Sequence, residues 1–171
     1  MIIKDRLLFL KYALPCAGTL VKRGKVSAEE VDNAVRLVSE GKLPAPGFED
    51  IFRVATAMCE RLAKDSGKDC IDVDTIRRYF IAGHSKVVDD RFKLMRDFDP
   101  VSCKTYLGKV ITAEGGFAIV DTERGKKMYR AEFAKSLREG DEVIVHWDFV
   151  VEKAPRGLWA GLSGRNDEGR E

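Results

Sequence analysis

The 171-residue sequence has no Cys-x2-Cys pair and only two histidines, and its four cysteines, Cys16, Cys59, Cys70 and Cys103, stand far apart. Spacing of this kind gives no local support for a structural zinc site. No apolar run approaches the ~18 residues of a membrane span. Leu7-Leu8-Phe9-Leu10 is too short for a signal core, and no small-residue cleavage pattern follows it closely. Together these absences predict a cytoplasmic protein with reduced thiols and no membrane partner. Charge of one sign is missing too. The formal net charge is +2, with 18 Lys/Arg against 16 Asp/Glu in residues 1–100 and 12 against 12 in residues 101–171. Neither half carries a nucleic-acid footprint, so nucleic acid is not the expected partner.

Motifs of catalysis are equally scarce. The chain has no nucleophile elbow, no phosphate-cradling glycine loop and no H-E-x-x-H. Asp89-Asp90 are adjacent in a helical stretch and point apart, which suits a solvated face. The expectation is a non-enzymatic protein without a tightly bound cofactor.

What is present divides near residue 100. Residues 1–98 read as a helical domain. Ile3, Leu7, Leu8, Leu10 and Tyr12 give a helix over about 2–13, which Pro15 and Gly18 interrupt. Ser27-Ala28-Glu29-Glu30 is a capping box for a helix with Val31, Ala34, Val35 and Val38 on one face, ending at Gly41. A third helix is predicted over 48–63, with Cys59 on its apolar stripe. Asp72 or Asp74 caps a fourth, which ends at Ala82-Gly83, and a fifth spans Ser85 to Met95. Phe98-Asp99-Pro100 marks the boundary, since the residue before proline disfavours helix.

From Ser102 the period changes. Val110-Ile111, Phe117 to Asp121, Lys126 to Arg130 and the β-branched run Glu142 to Lys153 read as strands separated by turn signals. Gly115-Gly116 suits a hairpin turn, and a short helical patch is expected around Ala131–Leu137. Several short strands with glycine turns predict a small, nearly closed barrel over 102–154. The fold class expected is α+β, an N-terminal helical bundle followed by a small OB-like β-barrel, with a flexible tail over 155–171 where Leu158, Trp159 and Leu162 can pack locally.

The ordered set Cys103-x4-Gly108-Lys109-Val110, the Gly-rich turn, the FAIVD strand, Arg-Glu-Gly-Asp-Glu-Val and Val-Ile-Val-His-Trp-Asp-Phe-Val-Val-Glu-Lys resembles the HypC/HupF hydrogenase-assembly chaperones. The likeness covers residues 102–154. Leu107 stands where the family usually has proline, and Cys103 lies mid-chain, whereas the family's cysteine follows the initiator methionine. The resemblance implies a non-catalytic maturation chaperone. Its partner would be a HypD-like scaffold or a hydrogenase large-subunit precursor. Cys103, Gly108, Lys109 and His146 fall at the partner- and iron-binding positions. Cys103 would be the metal ligand, to a transient iron carrying cyanide and carbon monoxide, and a soft thiolate suits that metal.

The residues themselves allow plainer roles. Cys103 enters a strand and can be a small buried hydrophobe. His146 lies on the face of its strand opposite Val143 and Val145, where a hydrogen-bonded structural histidine is the ordinary expectation. His84 sits at a helix end, where an imidazole complements the helix dipole. Cys16, between Pro15 and Gly18 at a helix break, is either core or exposed and reactive; Cys59 is core and Cys70 incidental. Two other functions stay open. One is an oligonucleotide- or oligosaccharide-binding module using Tyr106, Phe117, Tyr129 and Trp147 with Lys104, Lys126, Lys127 and Arg130, provided they share one face. The other is a thiol-dependent enzyme pairing Cys103 with His146. The helical domain can clamp a partner, mediate homo-oligomerisation or position the barrel.

Overall fold

The computed structural model describes residues 1–92 and 99–155. Strand β1 (Ile2–Ile3) pairs in parallel with β2 (Cys70–Ile71) and ties the N-terminus into the helical layer. Helix α1 (Arg6–Ala13) starts at Asp5, whose side chain accepts the Leu8 N–H. Pro15 then imposes a 3-10 turn over Leu14–Cys16 before α2 (Ala17–Lys22). The predicted break is there, although the helix begins four residues later than expected because β1 takes Ile2 and Ile3. Helix α3 (Ala28–Ser39) carries the capping box, with Ser27 Oγ accepting the Glu30 N–H at 3.1 Å and Glu30 accepting the Ser27 N–H at 2.9 Å.

The expected third helix is a 3-10 turn (Phe48–Ile51) followed by α4 (Arg53–Asp65). Asp72 caps α5 (Val73–Arg77) through the Thr75 N–H. The expected stop at Ala82-Gly83 is absent. A π-helical turn (Arg78–Gly83) carries the chain directly into α6 (His84–Phe92). Thr105 Oγ1, from the barrel, donates to the Phe80 carbonyl inside that turn at 2.7 Å. Met95, Phe98, Leu158, Trp159 and Leu162 lie outside the described residues.

Five strands close a barrel: β3 (Thr105–Glu114), β4 (Phe117–Thr122), β5 (Gly125–Arg130), β6 (Glu142–His146) and β7 (Phe149–Lys153). Their order around the barrel is β3-β4-β5-β7-β6, all neighbours antiparallel except β5 and β7. Gly115 and Gly116, at φ 58° and 83°, make the β3–β4 hairpin as a two-glycine turn. The helical patch expected at 131–137 is not formed; the segment is a series of turns that buries Phe133 and Ala134. Packing won over local helix preference, since the segment has to cross from β5 to β6 over one end of the barrel.

Strand alternation sorts the barrel into two apolar faces. Val110, Ala118, Val120, Tyr129, Val143, Val145 and Val150 fill the interior. Ile144, Phe149 and Val151 point outward and join Phe9, Tyr12, Ile76 and Phe80 in a second core shared with the helices. Helices precede the barrel in sequence and lie against its outer wall. Among the described residues no helix is long and apolar enough to cross a membrane.

Candidate metal centre

Four side chains meet where the helical layer touches the barrel: Cys16 from the 3-10 turn, His84 at the start of α6, Cys103 just before β3 and His146 at the end of β6. Their ligating atoms all lie within 4.8 Å of one another. Cys16 Sγ is 3.3 Å from Cys103 Sγ and 3.2 Å from His146 Nε2, and Cys103 Sγ is 4.0 Å from His84 Nε2. Three of the four are buried and Cys16 is half-buried.

Each residue is placed by a local device. Pro15 supplies the break that turns Cys16 off the helix axis. The π-turn widens the helix just before His84, so that Phe80 and His84 both face the barrel, with ring centroids 5.6 Å apart. Asp99 accepts the N–H groups of Val101 and Ser102 at 2.9 and 3.1 Å, a turn that aims Cys103 inward. Period-2 alternation puts His146 on the outward face with Ile144. Trp147 follows in a left-handed conformation, φ 53°, uncommon for a bulky residue. Its buried indole N–H has no conventional acceptor, yet the ring lies against Cys16 and favours the thiolate there.

The electrostatics of the two sulfurs diverge. A hydrogen bond from Cys16, then contacts with His146 and His84, hold the Cys103 thiol well below its usual range, outweighing burial. Cys16 moves the other way, because it donates to Cys103 and loses solvent. Without a metal, the pair therefore favours the thiolate at Cys103 and the thiol at Cys16. Burial pushes the His84 pKa down and so favours the neutral ring.

The donor set fits a metal. Four N/S donors of a tetrahedral zinc site stand about 3.3–3.8 Å apart, given bonds of about 2.0–2.3 Å, and the separations seen here bracket that range. His146 Nδ1 donates to the Tyr12 carbonyl at 2.8 Å, the outer hydrogen bond by which a ligating histidine presents Nε2. Its Nε2 also faces the Cys103 carbonyl, an acceptor, at 2.9 Å, a contact that ligation through Nε2 would replace. His84 Nδ1 is buried without a hydrogen-bond partner, whereas its Nε2 is the nitrogen that faces Cys103 Sγ. Two thiolates and two imidazoles are borderline-soft, the preference of Zn2+ and Fe2+ over Ca2+ or Mg2+.

A cavity of ≈440 Å3 leads to this cluster. Cys16, His84 and Cys103 are in its lining together with Leu20, Phe52 and Val87, and so are Arg23, Lys25, Asp50 and Arg53.

Of the residues predicted for the site, Cys103 and His146 are in it. Gly108 is buried between β3 and β4, and Lys109 is exposed one residue on, pairing in register with Asp121 and Glu142. Neither is among the four. Cys16 and His84 were not singled out by sequence for metal binding, because residues 16, 84, 103 and 146 share no spacing; the proline break at Cys16 was the single local sign. The aromatics considered for base stacking are split. Phe117 is exposed outside the barrel while Tyr129 lies inside it, and their register partners Arg130 and Ala118 confirm the opposite faces. Lys104, Lys127 and Arg130 are ion-paired with Asp89, Asp148 and Glu132.

No family model matches this chain, and no curated protein matches it either.

Proposed function

We propose that this protein is a metal-handling assembly factor, which carries a soft metal ion on Cys16, His84, Cys103 and His146 and delivers it to a metallo-enzyme precursor. The observation that carries this reading is the convergence of two cysteines and two histidines, from four separate elements, within 4.8 Å. Burial of so many titratable groups costs stability unless they are paired or bound, and a metal ion satisfies all four at once. The strand order β3-β4-β5-β7-β6 supports an OB-like barrel, and the resemblance of residues 102–154 to the HypC/HupF chaperones supports hydrogenase maturation as the setting. On that reading the cargo is iron, a HypD-like scaffold or hydrogenase precursor is the partner, and Cys103 is the contact both share. The helical domain then contributes half of the ligands. It supplies Cys16 and His84, which an isolated barrel lacks, and this accounts for a metal-binding cysteine in mid-chain.

The test is anaerobic affinity purification from native cells of the wild type beside Cys16→Ala and Cys103→Ala. Metal content is measured by mass spectrometry, co-eluting proteins are identified, and bound cyanide and carbon monoxide are sought by infrared spectroscopy. The expected result is near-stoichiometric metal in wild type, lost in both variants, with a maturation partner lost alongside it. Equal metal content in all three samples sinks the proposal. Metal without the infrared bands keeps the carrier and removes the hydrogenase setting.

A further inference from the structure

We propose that the cavity beside Cys16 is the passage by which an anionic metal-ligating group of an acceptor, a thiolate or carboxylate, reaches the bound metal and removes it. This rests on the metal-handling reading above. Cys16, His84 and Cys103 line the cavity, whereas His146 is not part of the lining. His146 is held from behind by the Tyr12 carbonyl. An entering ligand therefore meets the metal on the side away from His146, at the face shared by the two sulfurs and His84.

Cys16 is the donor placed to leave. It stands on a single 3-10 turn, while His146 ends β6 and Cys103 lies two residues before β3. A structural zinc site is closed on all sides; this one has an open face. The exchange needs no electron transfer. The entering thiolate or carboxylate donates a lone pair to the metal, the metal–Cys16 bond breaks, and Cys16 departs as a thiolate that takes a proton from solvent in the cavity. Repetition at the remaining donors transfers the ion.

The lining selects the entrant. At ≈440 Å3 the cavity admits a side chain or a short peptide end and excludes a folded domain. Its lining is largely apolar, and its charged residues include the exposed cations Lys25 and Arg53 against the carboxylate of Asp50. A positive lining beside low-dielectric walls draws anions and repels free metal cations. An anionic donor is thereby favoured over hydrated metal as the traffic through this opening.

The experiment uses the full chain loaded with Co2+, whose thiolate absorption reports occupancy. Removal is followed with nitrilotriacetate, an anionic chelator, and with neutral 1,10-phenanthroline. The rate of removal by nitrilotriacetate is expected to rise in proportion to its concentration. The exposed double variant Lys25→Glu/Arg53→Glu is expected to slow it about ten-fold and to leave the phenanthroline rate unchanged. Ala55→Phe, which narrows the cavity without touching a ligand, should slow both chelators. A removal rate independent of chelator concentration, or one that the charge variant leaves unaltered, overturns the passage while the carrier stands. Failure of the wild type to retain Co2+ through gel filtration overturns both.

Discussion

Gly108 has no room for a side chain. A Cβ there would stand 2.5 Å from Val120 Cγ1 and 2.8 Å from both the Asp121 carbonyl oxygen and Thr122 Cγ2. The glycine of the Gly-Lys-Val run thus has a packing reason, the close approach of β3 to β4, independent of any partner. Gly108→Ala is expected to destabilise the barrel by about 1–3 kcal/mol through overpacking, read as a lower denaturation midpoint. His84 gives a pH signature at the same scale. Burial lowers its folded-state pKa below the ordinary value, so the unfolded chain binds the proton more readily. Stability of the metal-free protein is then full above about pH 6.5 and falls as pH drops below it. Urea titrations across pH 5–8 should show this slope, and His84→Phe should flatten it; an equal slope in the variant refutes the assignment. Cys103 and His146 were legible in sequence as candidates. His84 was not, because the end of a predicted helix gives a histidine an adequate local role, and only the continuation through the π-turn turns it toward the barrel.

Among the elements, the ones set by local chemistry follow the sequence closely. The Ser27 capping box, the Asp72 cap and the Gly115-Gly116 turn each satisfy backbone groups within a few residues, and they form where the residues dictate. Ser27→Ala should cost about 1 kcal/mol, measurable as a shift in the thermal midpoint; an unchanged midpoint would mean that α3 is held by packing alone. Elements that depend on distant partners departed from expectation. Residues 131–137 became a turn series because Phe133 stacks on Phe149, ring centroids 4.8 Å apart, on the outer side of the barrel. Gly83 does not end a helix because Thr105 Oγ1 bonds the Phe80 carbonyl within the π-turn. Such partners lie beyond any local window of sequence.

At the scale of the molecule, helices and barrel are joined by more than the metal ligands. Glu152 on β7 accepts two hydrogen bonds from Arg77, at 3.0 and 2.8 Å, and one from the Tyr12 hydroxyl at 2.6 Å. The Tyr12 ring stacks on Phe80, which packs near both histidines. Glu152→Ala leaves a part-buried guanidinium and a buried hydroxyl unpaired, and should cost about 1–3 kcal/mol. Because the same contacts hold α1 and the π-turn against the barrel, it should also weaken metal retention, though no ligand is changed. Unaltered retention in a folded Glu152→Ala variant would show that the cluster is positioned by its own four residues.

By itself the sequence determined the class of the protein: helices before residue 98, a small barrel after it, alternation that places His146 opposite Val143 and Val145, and the caps and turns that start and stop most elements. All of these follow from interactions between near neighbours or from periodicity, which a linear chain displays directly. Only the tertiary structure decided that Cys16 and His84 join Cys103 and His146, and that a cavity opens onto Cys16, His84 and Cys103. A constellation drawn from residues 16, 84, 103 and 146 has no spacing to detect; it exists only when the outer wall of the barrel buries its apolar face against the helices.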